Sequence, residues 1–175
     1  IMLKDPYSFI GNNAIMNSLI LKNVAMSNIK HFIFLSCTVM YHNSTKHLNE
    51  NDFDYYKEIN KNYEGIAYTK LYTENLCKYY SKTSKIKFTA LRHSNIYGPH
   101  DKYDLKKSHV FGATITKVAT SKTGIIDIWG HGEEKRDFVF IWDLCNFIYL
   151  AIKKQKHFFE IFNVGNGNLI SINHL

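Results

Sequence analysis

The feature that most constrains how this chain can fold is Phe32-Ile33-Phe34-Leu35, an unbroken apolar run of strand length. Such a run suits a strand buried on both faces, as in parallel sheets. The segments around it supply the helices that parallel neighbours require. Residues 12–28 place Ile15, Leu19 and Val24, with Met16 and Ile20 beside them, at roughly helical spacing. Residues 64–80 read as a helix with Ala67, Leu71 and Cys77 inward. Residues 86–91 alternate Ile86, Phe88 and Ala90 against polar neighbours and then meet Leu91, which predicts a strand. Further on, 110–120 reads as a helix, 125–129 as a short strand and 159–164 as a strand. Residues 144–152 read as a helix whose end at Lys153-Lys154 suits a C-terminus. Between them, 42–62 is polar without a sustained period and predicts a surface excursion. This alternation predicts an α/β fold with a largely parallel sheet. Strands 32–35 and 86–91 are expected adjacent and parallel, with helix 64–80 as a right-handed crossover between them.

Composition narrows the class. The 175 residues are 45% hydrophobic and 15% aromatic, which argues against disorder. No apolar stretch approaches the roughly 18–20 residues that span a bilayer, and no signal peptide opens the chain. Neither a membrane partner nor a membrane location is expected. Cys37, Cys77 and Cys145 are widely spaced with no CxxC pair, so neither a disulfide framework nor a zinc site is expected, and a reducing cytoplasm is. Lys and Arg number 22 against 15 Asp and Glu, a net charge of +7. The lysines are scattered and no stacking platform or binding motif accompanies them, so a nucleic-acid partner is not expected. The first residue is Ile1, and Ser171-Ile172-Asn173-His174-Leu175 reads as a helix start cut short. A single domain over 1–175, truncated at both ends, is expected. None of the 9 glycines forms a GxGxxG phosphate loop after a strand.

Four clusters carry chemistry. Leu35-Ser36-Cys37-Thr38-Val39-Met40-Tyr41 follows a strand, and ligands of open α/β sheets bind beyond strand carboxyl ends. The bland reading is a polar strand exit with a buried cysteine. Ile66-Ala67-Tyr68-Thr69-Lys70, with Glu74 one turn on, places Lys70 on the helix face of Ile66. A lysine there can orient a ribose and lower the pKa of a nearby proton donor; the alternative is a solvated surface lysine. His93-Ser94-Asn95-Ile96-Tyr97-Gly98-Pro99-His100-Asp101 leads to Ser108-His109-Val110, where His109 lies at a predicted helix start. A neutral imidazole is favoured there and can act as acid or base, although a lone histidine is more often structural. Trp129-Gly130-His131-Gly132 with Arg136 can present a guanidinium to a pyrophosphate, or can be a charged surface hairpin.

Together these motifs resemble the extended short-chain dehydrogenase/reductase superfamily, the NAD-dependent epimerase/dehydratases. Within it they are most similar to the GDP-L-fucose synthase group. The resemblance runs from about 6 to 62 and from 64 to the end. Tyr97-Gly98-Pro99-His100-Asp101 with Ser108-His109-Val110 is its most specific part, followed by Trp129-Gly130-x-Gly132 with Arg136. It implies a partial Rossmann-like doubly wound sheet, with part of a small substrate-binding region and a glycine-rich loop upstream of this chain. It implies epimerisation at C3 and C5 of a 4-keto GDP-sugar, whose carbonyl acidifies those hydrogens, then reduction at C4 with NADP(H), in a homodimeric full-length protein. It assigns catalytic roles to Cys37, Lys70 and His109. Cofactor contacts go to Leu35, Ser36, Cys37, Thr38, Lys70, His93, Ser94, Asn95, Ile96 and His109, and substrate contacts to Lys117, Trp129 and Arg136. Cys37, Lys70, Asn95 and His109 are thereby expected to share one cleft.

This sequence departs from the pattern at three places. The group's tyrosine, four residues before the lysine, is Ile66, which has no proton to give. Tyr68 lies two residues before Lys70, about 200° round the helix at ~100° per residue, and cannot simply replace it. The strand-end serine or threonine aligns with Cys37 and the group's cysteine with Val39, so either Cys37 acts from a shifted position or the register differs by a residue. Trp142 stands before Asp143, where a small or acidic residue is usual. An active family member and a degenerate, non-catalytic binding relative are both consistent with these residues.

Overall fold

A computed structural model describes residues 5–44, 46–105 and 107–175. In chain order its elements are α1 (Pro6–Ala25), β1 (His31–Cys37), α2 (Glu64–Thr83), β2 (Lys87–His93), β3 (Asn95–Tyr97), α3 (Val110–Thr120), β4 (Lys135–Phe140), α4 (Ile141–Lys154), β5 (Phe159–Val164) and β6 (Leu169–Ser171). Short 3-10 turns lie at Thr38–Met40, Glu50–Asp52 and Ile172–His174. The chain divides into two compact units, Ile1–His93 with Phe147–Val164, and Ser94–Asn146 with Gly165–Leu175.

The first unit is built on a parallel sheet of order β1-β2-β5. Phe32 pairs with Phe88, and Phe88 with Phe159. Strands 32–35 and 86–91 are thus adjacent and parallel, as the alternation predicts. Side chains alternate across a strand, so Phe34, Phe88 and Ala90 share one face. There they meet Leu21 of α1 and Cys77 of α2 in a buried core, with Val24, Leu76, Tyr80 and Ile161 packed against it. On the other face Phe147 of α4 meets Phe162 of β5 edge-on, ring centroids 5.4 Å apart. Ala67, Leu71 and Cys77 are all buried, as their spacing predicts.

Burial of β1 on both faces is not observed. Among the described residues β1 pairs with β2 alone, and within β1 only Phe34 and Ser36, on the face shared with Phe88, are buried, while Leu35 remains 42% exposed. The strand buried on both faces is β2, whose consecutive residues Phe88, Thr89, Ala90, Leu91 and Arg92 are all buried and which has a paired strand on each edge. α1 begins six residues before the expected start. Pro6 opens the helix and the Asp5 carboxylate accepts from the Ser8 amide at 3.0 Å, a conventional N-cap. Ile15 and Leu19 are exposed, and Leu21 carries the buried contact instead.

The second unit holds the order β3-β4-β6, with β3 and β4 parallel and β4 and β6 antiparallel. Tyr97, Phe111, Phe138 and Phe140 form its aromatic cluster. The expected strand at 125–129 is absent: this stretch pairs with no strand and Ile125 is 76% exposed. Its carbonyls are taken by side chains, Ile125 by the Ser121 hydroxyl and Asp127 by the Lys117 ammonium. Where the sequence predicts a helix start, Ile172–His174 form a short 3-10 turn with Ser171 at its N-cap position. The Ser171 hydroxyl bonds the His174 ring at 3.1 Å rather than capping the backbone.

Phe88 is inaccessible at the centre of the first unit's sheet. Phe88→Ala is expected to lower the unfolding free energy in urea titration by about 3–5 kcal/mol. Tyr56→Ala, at a side chain 98% exposed, is expected to change it by less than about 0.5 kcal/mol.

Candidate functional site

In the first unit the candidate residues gather at the carboxyl end of β1. Burial of one α2 face turns Lys70 toward that end, where its ammonium donates to the Leu35 carbonyl at 2.6 Å and lies 4.7 Å from the centre of the Phe34 ring. Burial holds the Lys70 amine below the ordinary lysine range, and charge on Cys37 and Glu74 partly offsets this. Ser36 is fully buried and donates to a Glu74 carboxylate oxygen at 2.6 Å. Cys37 is half-buried, and burial pushes its thiol above the ordinary range. Thr38 opens the turn beyond the strand, its hydroxyl 3.5 Å from the His93 carbonyl, and His93 pairs with Cys37 in the parallel register. Ile66 stands one turn before Lys70 on α2. Tyr68 is half-exposed and its phenol is raised by the Glu64 charge, so it faces solvent rather than the Lys70 side.

Beneath this edge lies a buried ion pair that motif reading passes over. Arg92 Nη2 donates to Glu74 Oε2 at 2.7 Å and Nε to Oε1 at 3.1 Å, both side chains 4% exposed. Arg92 Nη1 reaches the Tyr41 hydroxyl at 2.7 Å and the Glu50 carbonyl at 3.0 Å. The Tyr41 hydroxyl donates to Asn163 of β5 at 2.8 Å. The signal in the sequence is an arginine at the end of an apolar strand and a glutamate four residues after Lys70 on an inward helix face.

The second unit, taken by itself, has Asn95 and Ile96 on β3, directly after Ser94. The Asn95 amide donates to the Asp137 carbonyl at 3.0 Å, which fastens β3 beside β4. His109 is the N-cap residue of α3, as the sequence predicts. Its backbone carbonyl accepts from Ala113 at 3.0 Å and its ring makes no capping bond. The loop before it turns at His100 with φ 68° and bonds Ser108 to the Lys102 carbonyl. A Cβ at Gly112 would stand 2.7 Å from that carbonyl, so the loop can approach α3 only at a glycine. Lys117 lies in the last turn of α3, bound to the Asp127 carbonyl. Trp129 is 90% exposed, and Arg136 is exposed on β4 opposite Ile170. Gly132 adopts φ 75°, and a Cβ there would collide with Asn173.

For a nicotinamide cofactor, the residues fit one end of the molecule. A half-buried ammonium beside polar strand-end groups suits a ribose, and the partly exposed Leu35 offers an apolar surface. No glycine-rich turn among these residues cradles a pyrophosphate. Among the described residues no group of three or more His, Cys, Asp or Glu is placed to hold a metal ion, and no helix is long and apolar enough to cross a membrane.

Residues 2–165 match the NAD dependent epimerase/dehydratase family. The chain is 30% identical over 169 residues to a GDP-L-colitose synthase of Yersinia pseudotuberculosis, covering 94% of this chain and 55% of that protein. It is 30% identical over 170 residues to a GDP-L-fucose synthase of Sinorhizobium fredii, covering 95% and 54%. It is 29% identical to a GDP-mannose 3,5-epimerase of Arabidopsis thaliana, covering 94% and 43%. The chain thus spans about half the length of the curated relatives it matches. A GDP-L-fucose synthetase structure from Naegleria fowleri superposes with TM-score 0.82 at 19% identity, covering 98% of this chain and 55% of that one. A UDP-glucose 4-epimerase from Thermotoga maritima superposes at 0.81 with 22% identity, covering 99% and 54%. These two likenesses establish the fold.

Exposure sets the order in which the thiols react. Cys145 is expected to alkylate first, Cys37 more slowly and Cys77 only on unfolding, as read by mass spectrometry of iodoacetamide time courses. Burial pushes the Cys77 thiol from 9.0 up to about 12. A raised folded pKa means that its stabilisation is complete below pH 9.0 and is lost as pH climbs toward about 12. Thermal melts across that window are expected to show Cys77→Ala losing less stability with rising pH than the native chain.

Proposed function

This chain belongs to the NAD dependent epimerase/dehydratase family, and we propose that it is the substrate-side part of a nucleotide-sugar epimerase/reductase acting on a 4-keto GDP-sugar with NADP(H). The observation that carries the reading is Lys70, held on the carboxyl end of β1 by α2. The curated relatives named for GDP-sugars support the choice of nucleotide.

A bound reduced nicotinamide supplies hydride at C4 of the sugar. The chain's own residues handle binding and protons. Lys70, with Ser36, Cys37 and Thr38 beside it, orients the nicotinamide ribose; His93, Ser94, Asn95 and Ile96 supply the further cofactor contacts. Lys117, Trp129 and Arg136 bind the GDP end, Arg136 through charge-assisted hydrogen bonds to phosphate. His109 returns protons at C3 and C5. The same 4-keto group that makes these hydrogens acidic also stabilises the carbanion left behind. Cys37, from its shifted position, removes the C3 and C5 protons that His109 replaces from the other face; burial favours its neutral thiol over the thiolate that does this. The full-length protein is read as a cytoplasmic homodimer.

Ile66 favours a second reading, a relative that binds a nucleotide sugar without reducing it. With an alkyl side chain one turn before Lys70, no phenol stands there to give C4 its proton. The 175-residue chain is therefore expected to be inactive in reduction and, with no glycine-rich turn among its residues to cradle the pyrophosphate, to bind NADPH weakly.

The test uses a chimera that supplies the glycine-rich half from a GDP-L-fucose synthase. Solvent deuterium incorporation into the 4-keto sugar and NADPH oxidation are followed together. Exchange at C3 and C5 is expected with Ile66 in place, and Ile66→Tyr is expected to raise NADPH oxidation by about 10²–10⁴-fold, the usual contribution of a general acid. Equal oxidation rates in the two versions refute the role given to this position. Absence of exchange in both refutes the epimerase reading and points to Val39.

A further inference from the structure

We propose that Arg92 is a positioning residue for Lys70: by clamping Glu74 it fixes the turn of α2 that lays the Lys70 ammonium on the end of β1. Lys70 and Glu74 are four residues apart and so share one helix face. They touch consecutive residues of β1, Lys70 the Leu35 carbonyl at 2.6 Å and Glu74 the Ser36 hydroxyl at 2.6 Å. The contact of Ala67 and Leu71 with Met40 is apolar and non-directional, and by itself permits α2 to slide or rotate. The guanidinium does not permit this. It meets both Glu74 oxygens in a fork, with Nε at 3.1 Å and Nη2 at 2.7 Å, and spends its remaining reach on Tyr41 and the Glu50 carbonyl. Arg92 is held by β2 and Ser36 by β1, so Glu74 is fixed from two strands at once. One turn away, the long Lys70 side chain inherits that position.

The energetics point the same way. Replacing a buried ion pair by apolar side chains of similar volume is often neutral or stabilising, so stability alone gives little reason for this pair. Geometric definition does. The inference rests on the proposed function for the chemistry that Lys70 serves, while the placement of the amine is measured without it.

The experiment is a lysine-selective carbon-13 NMR titration of the 175-residue chain, with Lys70→Arg assigning the resonance. In the native chain the Lys70 midpoint is expected below those of exposed lysines. The double variant Arg92→Met with Glu74→Leu is expected to keep its urea midpoint while the Lys70 midpoint rises toward the ordinary ~10.4. An amine that stayed in place would move the opposite way, because Glu74 is one of the two charges, with Cys37, that hold its pKa up. An unchanged or lower Lys70 midpoint in the folded double variant therefore overturns the proposal. If the double variant does not fold, Arg92→Lys gives the same reading, since it keeps the cation and loses the fork. Ile86→Val loosens the core away from the pair and is expected to leave Lys70 unmoved; an equal shift there also overturns the proposal. A chimera inactive in both exchange and reduction defeats the functional reading and leaves this titration intact as the test of the clamp.

Discussion

Strand β2 carries five consecutive buried residues, Phe88, Thr89, Ala90, Leu91 and Arg92. The first four ask only for packing or for a hydroxyl partner. The fifth brings a permanent charge into a place that water does not reach. A buried cation is tolerated only when it is paired and its donors are used. Glu74, Tyr41 and the Glu50 carbonyl meet that demand. In doing so they tie α2, the segment after β1 and the middle strand together at the sheet's carboxyl end. Removing one partner alone leaves an uncompensated charge and typically costs about 3–5 kcal/mol.

This arrangement makes the sheet edge chemically specific. The groups around Lys70 are drawn close by the same burial that perturbs them. The amine is held down and the Cys37 thiol held up, both chiefly because water has been removed. The two shifts keep both groups closer to neutrality than they are in water.

The second unit shows the same dependence of function on backbone necessity. Gly112 and Gly132 are placed where a Cβ meets backbone or side-chain oxygen within contact distance. The loop leading to His109 and the turn leading to Arg136 are thus shaped by close approach. Asn95 spends its amide on the Asp137 carbonyl and so contributes to the frame as well as to any ligand contact.

The sequence by itself determined the α/β class, the parallel pairing of 32–35 with 86–91, the inward face of Ala67, Leu71 and Cys77, and the helix start at His109. Each follows from local periodicity or a short motif, which a single chain segment carries. The placement of Lys70 on a helix and of His109 before one was legible for the same reason. The loss of a strand at 125–129, the strands at Asn95–Tyr97 and Lys135–Phe140, and the exposure of Ile15 and Leu35 were decided by tertiary structure. Whether an apolar run becomes a strand, and which of its faces is covered, depends on which partner lies alongside, and no periodicity encodes that. The Arg92–Glu74 pair belongs to the same class, because 18 residues separate its members. Only the folded sheet places an arginine of β2 under a glutamate of α2, and only burial turns that contact from a surface ion pair into a fixed point.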